Sequence, residues 1–156
     1  MASQVDDQEG LNDFLKQILN HIYNRISVGQ LGRVIKYDKK KHTATVLPLA
    51  KASNGEESAQ LLDVPVAKSC YQVDELVKKL KPEFKKIDKY QNSKGGKINT
   101  NLVTKLPKPV LKKGAVVVMV FLDNDTDNWK LGTAKTFLPE TNRRHDINDA
   151  IVVGVL

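Results

Sequence analysis

The chain has 156 residues, 40% of them hydrophobic, and a formal net charge of +7. That length suits one domain with an appendage or insertion, enough to bury one core. The single cysteine, Cys70, excludes an internal disulfide framework and suits a reducing compartment, and the acidic, polar beginning is not a secretory signal.

Met1 to Gly10 carries Asp6, Asp7 and Glu9, shows no periodicity that would bury a face, and reads as a mobile arm. From Leu11 the apolar residues fall at three- and four-residue spacing, at Leu11, Phe14, Leu15, Ile18, Leu19, Ile22 and Ile26, which places them along one side of a helix. Such a strip either packs on its own domain or serves as an oligomerisation or docking contact, and Leu11, Leu15, Ile18, Ile22 and Ile26 are the residues that would make the contact. Arg33 to Tyr37 and His42 to Leu47 flank the polar break Asp38-Lys39-Lys40-Lys41 and read as a β-hairpin. A polar loop around Ser53-Asn54-Gly55 leads to Leu61–Val66, a third strand that Pro65 confines to an edge or ends early.

Residues 70–109 change character. They are lysine-rich, and Leu76, Val77, Leu80, Phe84 and Ile87 have helical spacing, with Asp74 as a cap and a break expected at Pro82. Lys94-Gly95-Gly96-Lys97 reads as a turn, and Ile98 to Leu106 alternate as a half-exposed strand. Gly114 opens the most apolar run of the chain, Ala115 to Leu122, stopped by Asp123-Asn124-Asp125; it reads as a fully buried central strand and is too short to span a bilayer. Asn124 to Arg144 is mostly loop around Trp129 and Phe137, and Ala150 to Leu156 is the last strand. The expected fold is mainly β: a five-stranded, OB-fold-like antiparallel barrel over 29–156, with an amphipathic helix within 1–28 and a helical, lysine-rich insertion at 70–109 between the third and the central strand.

The residues offer little chemistry. Asp123, Asp125 and Asp127 resemble the opening of a calcium loop, but Asn128 stands where that loop needs glycine and Ala134 where it needs glutamate, so a hairpin turn is expected. His21, His42 and His145 lie in separate segments without metal-ligand spacing. Gly95-Gly96-Lys97 lacks the leading strand and following Ser or Thr of a phosphate-binding loop, and no serine or cysteine sits beside a base. The expectation is therefore no enzyme, no catalytic residue, no metal and no cofactor. Nucleic-acid OB-folds stack bases on strand aromatics, and the hairpin presents Tyr37 alone.

Four pieces in order carry a family resemblance: Gly32-Arg33-Val34 leading to Tyr37-Asp38; Asp63-Val64-Pro65-Val66; Gly114 opening the apolar strand that ends at Phe121 and Asp123; and Arg143-Arg144-His145-Asp146 with Asp149-Ala150. Over residues 28–156 the chain resembles the N-terminal OB-fold domain of membrane-puncturing central spike proteins of contractile-tailed bacteriophages. The connection over 70–105 is longer and more basic than the family's, and a family spike continues past its barrel into a β-helical needle. The resemblance implies a homotrimeric central spike or hub adaptor of a phage, or phage-like, baseplate. Such an adaptor closes the tail tube and takes part in envelope penetration; it is made in the bacterial host cytoplasm and carried in the virion. Its partners would be its own copies, a tail hub protein and a separate needle or tip, with no small-molecule substrate and no specific nucleic acid. Arg143, Arg144, His145, Asp146 and Asp149 would then fix the loop before the last strand or contact a neighbour, with Asp146 and Asp149 as the nearest carboxylates for an arginine clamp. The alternative is a single-stranded nucleic-acid-binding OB-fold protein.

Overall fold

A computed structural model describes the chain apart from residues 1–2, 27, 52–53, 91–95 and 97–99, with residues 3–9 and 24–25 described by their backbone alone. Two compact units make it up: Met1–Gly29 with Phe121–Asp149, and Gln30–Val120 with Ala150–Leu156. The expected turn at Lys94-Gly95-Gly96-Lys97 lies, except for Gly96, outside the described residues.

The first element is a helix, α1 (Ser3–Arg25), about 35 Å long at the usual helical rise. It corrects the expectation of a mobile arm, because Ser3 to Gly10 continue the helix toward the N-terminus. One interior glycine, Gly10, costs only about 1 kcal/mol once the longer helix has formed.

The strands are β1 (Gly29–Asp38), β2 (Thr43–Pro48), β3 (Leu61–Pro65), β4 (Val116–Phe121) and β5 (Ala150–Val155). They form one sheet in the order β3-β2-β1-β4-β5. The hairpin is present in register Arg33 opposite Leu47 and Asp38 opposite Thr43, with a bulge between Val34 and Lys36. Its turn is held by Asp38, whose Oδ1 accepts the N–H of Lys40 at 2.8 Å and of Lys41 at 3.1 Å. The backbone N–H of Lys41, then that of Lys40, holds the Asp38 carboxyl below its ordinary range. β3 pairs antiparallel with β2 and lies at the end of the strand order, as Pro65 requires. Beyond it Val66 forms a parallel bridge to Val152, and Ala67 N–H donates to Val152 O at 2.8 Å. The two ends of the strand order thus approach each other, and the antiparallel sheet curls into a half-barrel.

The core lies on the inner face of this curl. Val34, Val46, Val117, Met119 and Val152 are all fully buried. β4 alternates between half-buried and buried residues, so the expected fully buried central strand is half right: Val117, Met119 and Phe121 point inward while Val116, Val118 and Val120 keep partial exposure. The middle of the sheet belongs to β1, which pairs on both sides. Gly32 explains part of that position, since a Cβ there would overlap Val46 Cγ1 and come within 2.9 Å of Met119 Cε.

Between β3 and β4 run a 3-10 turn at Lys68–Cys70, the helix α2 (Gln72–Asp88) and a single helical turn, α3 (Leu102–Lys105). Two expectations are corrected here. α2 runs through Pro82 without a break. Asp74 does not cap it: the carboxylate reaches forward and accepts Val110 N–H and Leu111 N–H, each at 3.2 Å. The predicted strand over Ile98–Leu106 is also replaced, within the described residues, by α3. Asp88 accounts for this, because its carboxylate accepts Leu102 N–H at 2.8 Å, Val103 N–H at 2.9 Å and the Thr100 hydroxyl at 2.5 Å, satisfying the N–H groups that open a helical turn. Thr100, then Val103, draws the Asp88 carboxyl below its usual range. The connection from β4 to β5 is loop until a 3-10 turn at Ile147–Asp149, with Trp129 Nε1 donating to Thr133 O at 3.2 Å.

Candidate functional site

Residues 123–149 hold a polar core of which the sequence suggested only the pairing of Arg143 with Asp149. Asp125 is fully buried and Asp149 is 1% exposed. Asp125 Oδ1 accepts Asp127 N–H at 2.9 Å, while its Oδ2 accepts the backbone N–H of Thr141 at 2.9 Å and the Thr141 hydroxyl at 2.7 Å. Asp149 Oδ1 accepts Thr126 N–H at 2.8 Å and the Thr126 hydroxyl at 2.9 Å. Arg143 joins the two: Nε donates to Asp149 Oδ2 at 2.7 Å, and Nη2 lies 3.0 Å from Asp149 Oδ1, 3.1 Å from Asp125 Oδ1 and 3.0 Å from Asp127 Oδ2. The planar guanidinium is the group that can hold several carboxylates from one position.

The charges respond accordingly. The Asp127 N–H and the Thr141 hydroxyl hold the Asp125 carboxyl below its ordinary range. Burial by itself would raise Asp149, but the hydrogen bonds from Arg143 and Thr126 outweigh it and the carboxyl lies low. Hydrogen bonds to Asp149 and Asp127 raise Arg143 in turn. Oxygens of Asp125, Asp127 and Asp149 lie within 4.8 Å of one another, close enough to hold a metal ion, yet Arg143 Nη2 stands among all three.

Of the loop residues singled out in the sequence, Arg143 and Asp149 are brought together and the others are not. Asp146 Oδ1 accepts Asn148 N–H at 2.9 Å and Asn148 Nδ2 at 2.7 Å, bracing the 3-10 turn. Arg144 is exposed, 3.9 Å from Asp123. His145 takes a positive φ of 49°, donates its backbone N–H to Leu122 O at 3.0 Å and sets Nε2 3.3 Å from Asp123 Oδ1. The hairpin turn expected of Asp123, Asp125 and Asp127 is therefore corrected, since Asp125 is an interior clamp residue. No local pattern announces it: its main partners, Thr141 and Arg143, are 16 and 18 positions away.

The helix strip is unpartnered. Leu11, Phe14, Leu15, Ile18, Leu19, Ile22 and Ile26 are 40–59% exposed among the described residues, as a contact helix would leave them.

A second apolar surface lies beside α2. A groove of about 730 Å³ is lined by Tyr37, Tyr71, Val77, Leu106 and Leu111, together with Lys78 and other lysines. Tyr37 is not alone, as the sequence implied. The Tyr71 ring centroid lies 6.5 Å from it, and His42 stacks on Tyr71 at 4.2 Å. Burial, then the neighbouring Tyr71 and Glu75, pushes the Tyr37 hydroxyl up to about 12.

No family model matches the chain, and no curated protein matches it. Among the described residues no helix is long and apolar enough to cross a membrane. The functional reading therefore rests on the sequence motifs, the half-barrel and these surfaces.

Proposed function

We propose that this protein is a structural component of a contractile-tail baseplate, a homotrimeric central spike or hub adaptor that closes the tail tube and takes part in envelope penetration. The observation that carries the proposal is the uncovered apolar strip of α1, because a soluble chain rarely leaves so long an apolar face to water without a partner to cover it. The strand order, with Val66 bridged to Val152, is compatible with an OB-fold barrel, the domain that the sequence motifs resemble. In this reading Arg143 has a structural task, holding the loop before β5 through Asp125 and Asp149. The role is mechanical rather than catalytic, the partners are further copies, a tail hub protein and a separate needle or tip, and the location is the virion.

Mass measurement in solution tests the proposal: a trimer is expected. Ile18→Asp with Ile22→Asp should leave the chain folded but monomeric, or release it from a hub partner. A wild type that stays monomeric at high concentration, with a double variant that unfolds, would sink the trimer.

A second reading, single-stranded nucleic-acid binding, gains support from the Tyr37, His42 and Tyr71 group beside Lys39. The first reading expects only weak, salt-sensitive binding of a labelled single strand at near-physiological salt. Tight binding there, lost in Tyr71→Ala, would favour the second.

A further inference from the structure

Among the described residues two apolar surfaces are exposed, one lined by lysines and the other reached through an acidic stretch of sequence. The groove beside α2 has half-buried Tyr71, Val77 and Leu106 and buried Leu111 in its lining. Exposed Lys39, Lys78, Lys79, Lys81 and Lys108 line it as well, against the two carboxylates Asp74 and Glu75. Five lysines against two carboxylates leave the groove with a positive excess. The sequence before Lys16 is the reverse, with four acidic residues and no lysine or arginine, and Lys16 Nζ lies 3.6 Å from Asp13 Oδ1 where that stretch ends.

Resting on the trimer reading, we propose that the Leu11–Ile18 stretch of α1 from one copy, through Leu11, Phe14, Leu15 and Ile18 and with the acidic sequence that leads into it, docks in the lysine-lined groove of a neighbouring copy. Docking would take two apolar surfaces out of water together, and the opposite charges would favour this pairing over helix against helix. A groove of about 730 Å³ suits a cluster of large side chains from one or two helical turns. Because the two surfaces differ, the contact runs head to tail, and it ends in a closed ring when the rotation between copies returns to the start, as a trimer does.

The test is a cysteine pair in the full chain, Ile18→Cys with Val77→Cys, oxidised mildly and run without reductant. Cys70 is buried and does not compete. Chains linked up to three in the double variant, with neither single variant linking, are expected. Linking by Ile18→Cys alone would mean that the helices pack on one another and would overturn the groove contact while leaving the trimer intact. A trimer by mass in which the double variant stays unlinked would do the same. A monomer by mass would instead remove the oligomer reading itself, and this contact with it. Independently, Lys78→Glu with Lys79→Glu should weaken self-association at least tenfold, and unchanged association would overturn the proposal; binding of vesicles of anionic lipid to the groove, in place of α1, would also overturn it.

Discussion

Arg143 is the residue whose loss should be felt most. Replacing it with leucine leaves Asp125 and Asp149 facing each other in the interior without a cation, and a buried carboxylate without its partner is strongly unfavourable. The expected cost is roughly 3 kcal/mol, at the lower end for a broken buried pair because part of the guanidinium keeps contact with water, read as a lowered urea midpoint. Arg143→Lys should recover only part of this, since an ammonium cannot serve both carboxylates in the plane of a fork. Tyr37 offers a spectroscopic check. Of the four tyrosines, one should ionise late, near pH 12, in an ultraviolet titration, and Tyr37→Phe should remove that late step.

Among the elements, α2 contains its own flaw. Pro82 lies inside the helix, where it supplies no N–H to the turn before it and its ring crowds that turn. The side chain is exposed, so packing does not reward its presence. Pro82→Ala should therefore stabilise the protein by roughly 1 kcal/mol or more, visible as a higher thermal midpoint. The same region shows how a distant side chain overrides a local pattern. Thr100, Leu102 and Thr104 alternate as a strand would, yet Asp88 gathers Thr100, Leu102 and Val103 onto one carboxylate and starts a helical turn instead.

For the whole molecule, acid should be the sensitive direction. Asp125, Asp149, Asp88 and Asp38 all have carboxyls held below their ordinary range in the folded state. A lowered folded value means that the unfolded chain takes up protons first as the pH falls. The stability these groups contribute is therefore complete above an unfolded carboxyl pKa of about 4, and is lost as the pH drops through the lower folded values. Protonation also adds to a chain that already carries +7. Unfolding free energy measured by urea should be flat from neutral pH to about pH 5 and fall below about pH 4. Asp149→Asn, less stable at pH 7, should show a shallower fall.

Periodicity alone determined the kinds of element: the helix from Leu11, the hairpin around Asp38-Lys39-Lys40-Lys41, the Pro65-limited edge strand, the apolar β4 and the last strand. These signals are legible because they depend on neighbours two to four residues apart, and on glycine and proline, whose backbone limits are local. The motif residues Arg143 and Asp149 were legible as a loop device too, though their third partner was not. Tertiary structure decided everything that needed a distant group: which carboxylates Arg143 holds, why Asp125 is interior and not part of a turn, how Asp88 redirects 100–105, and that His42 and Tyr71 join Tyr37. It also decided that β1, not β4, holds the middle of the sheet, and that the strip on α1 is exposed among the described residues. A sequence specifies which face of an element is apolar, but what covers that face depends on where the rest of the chain folds.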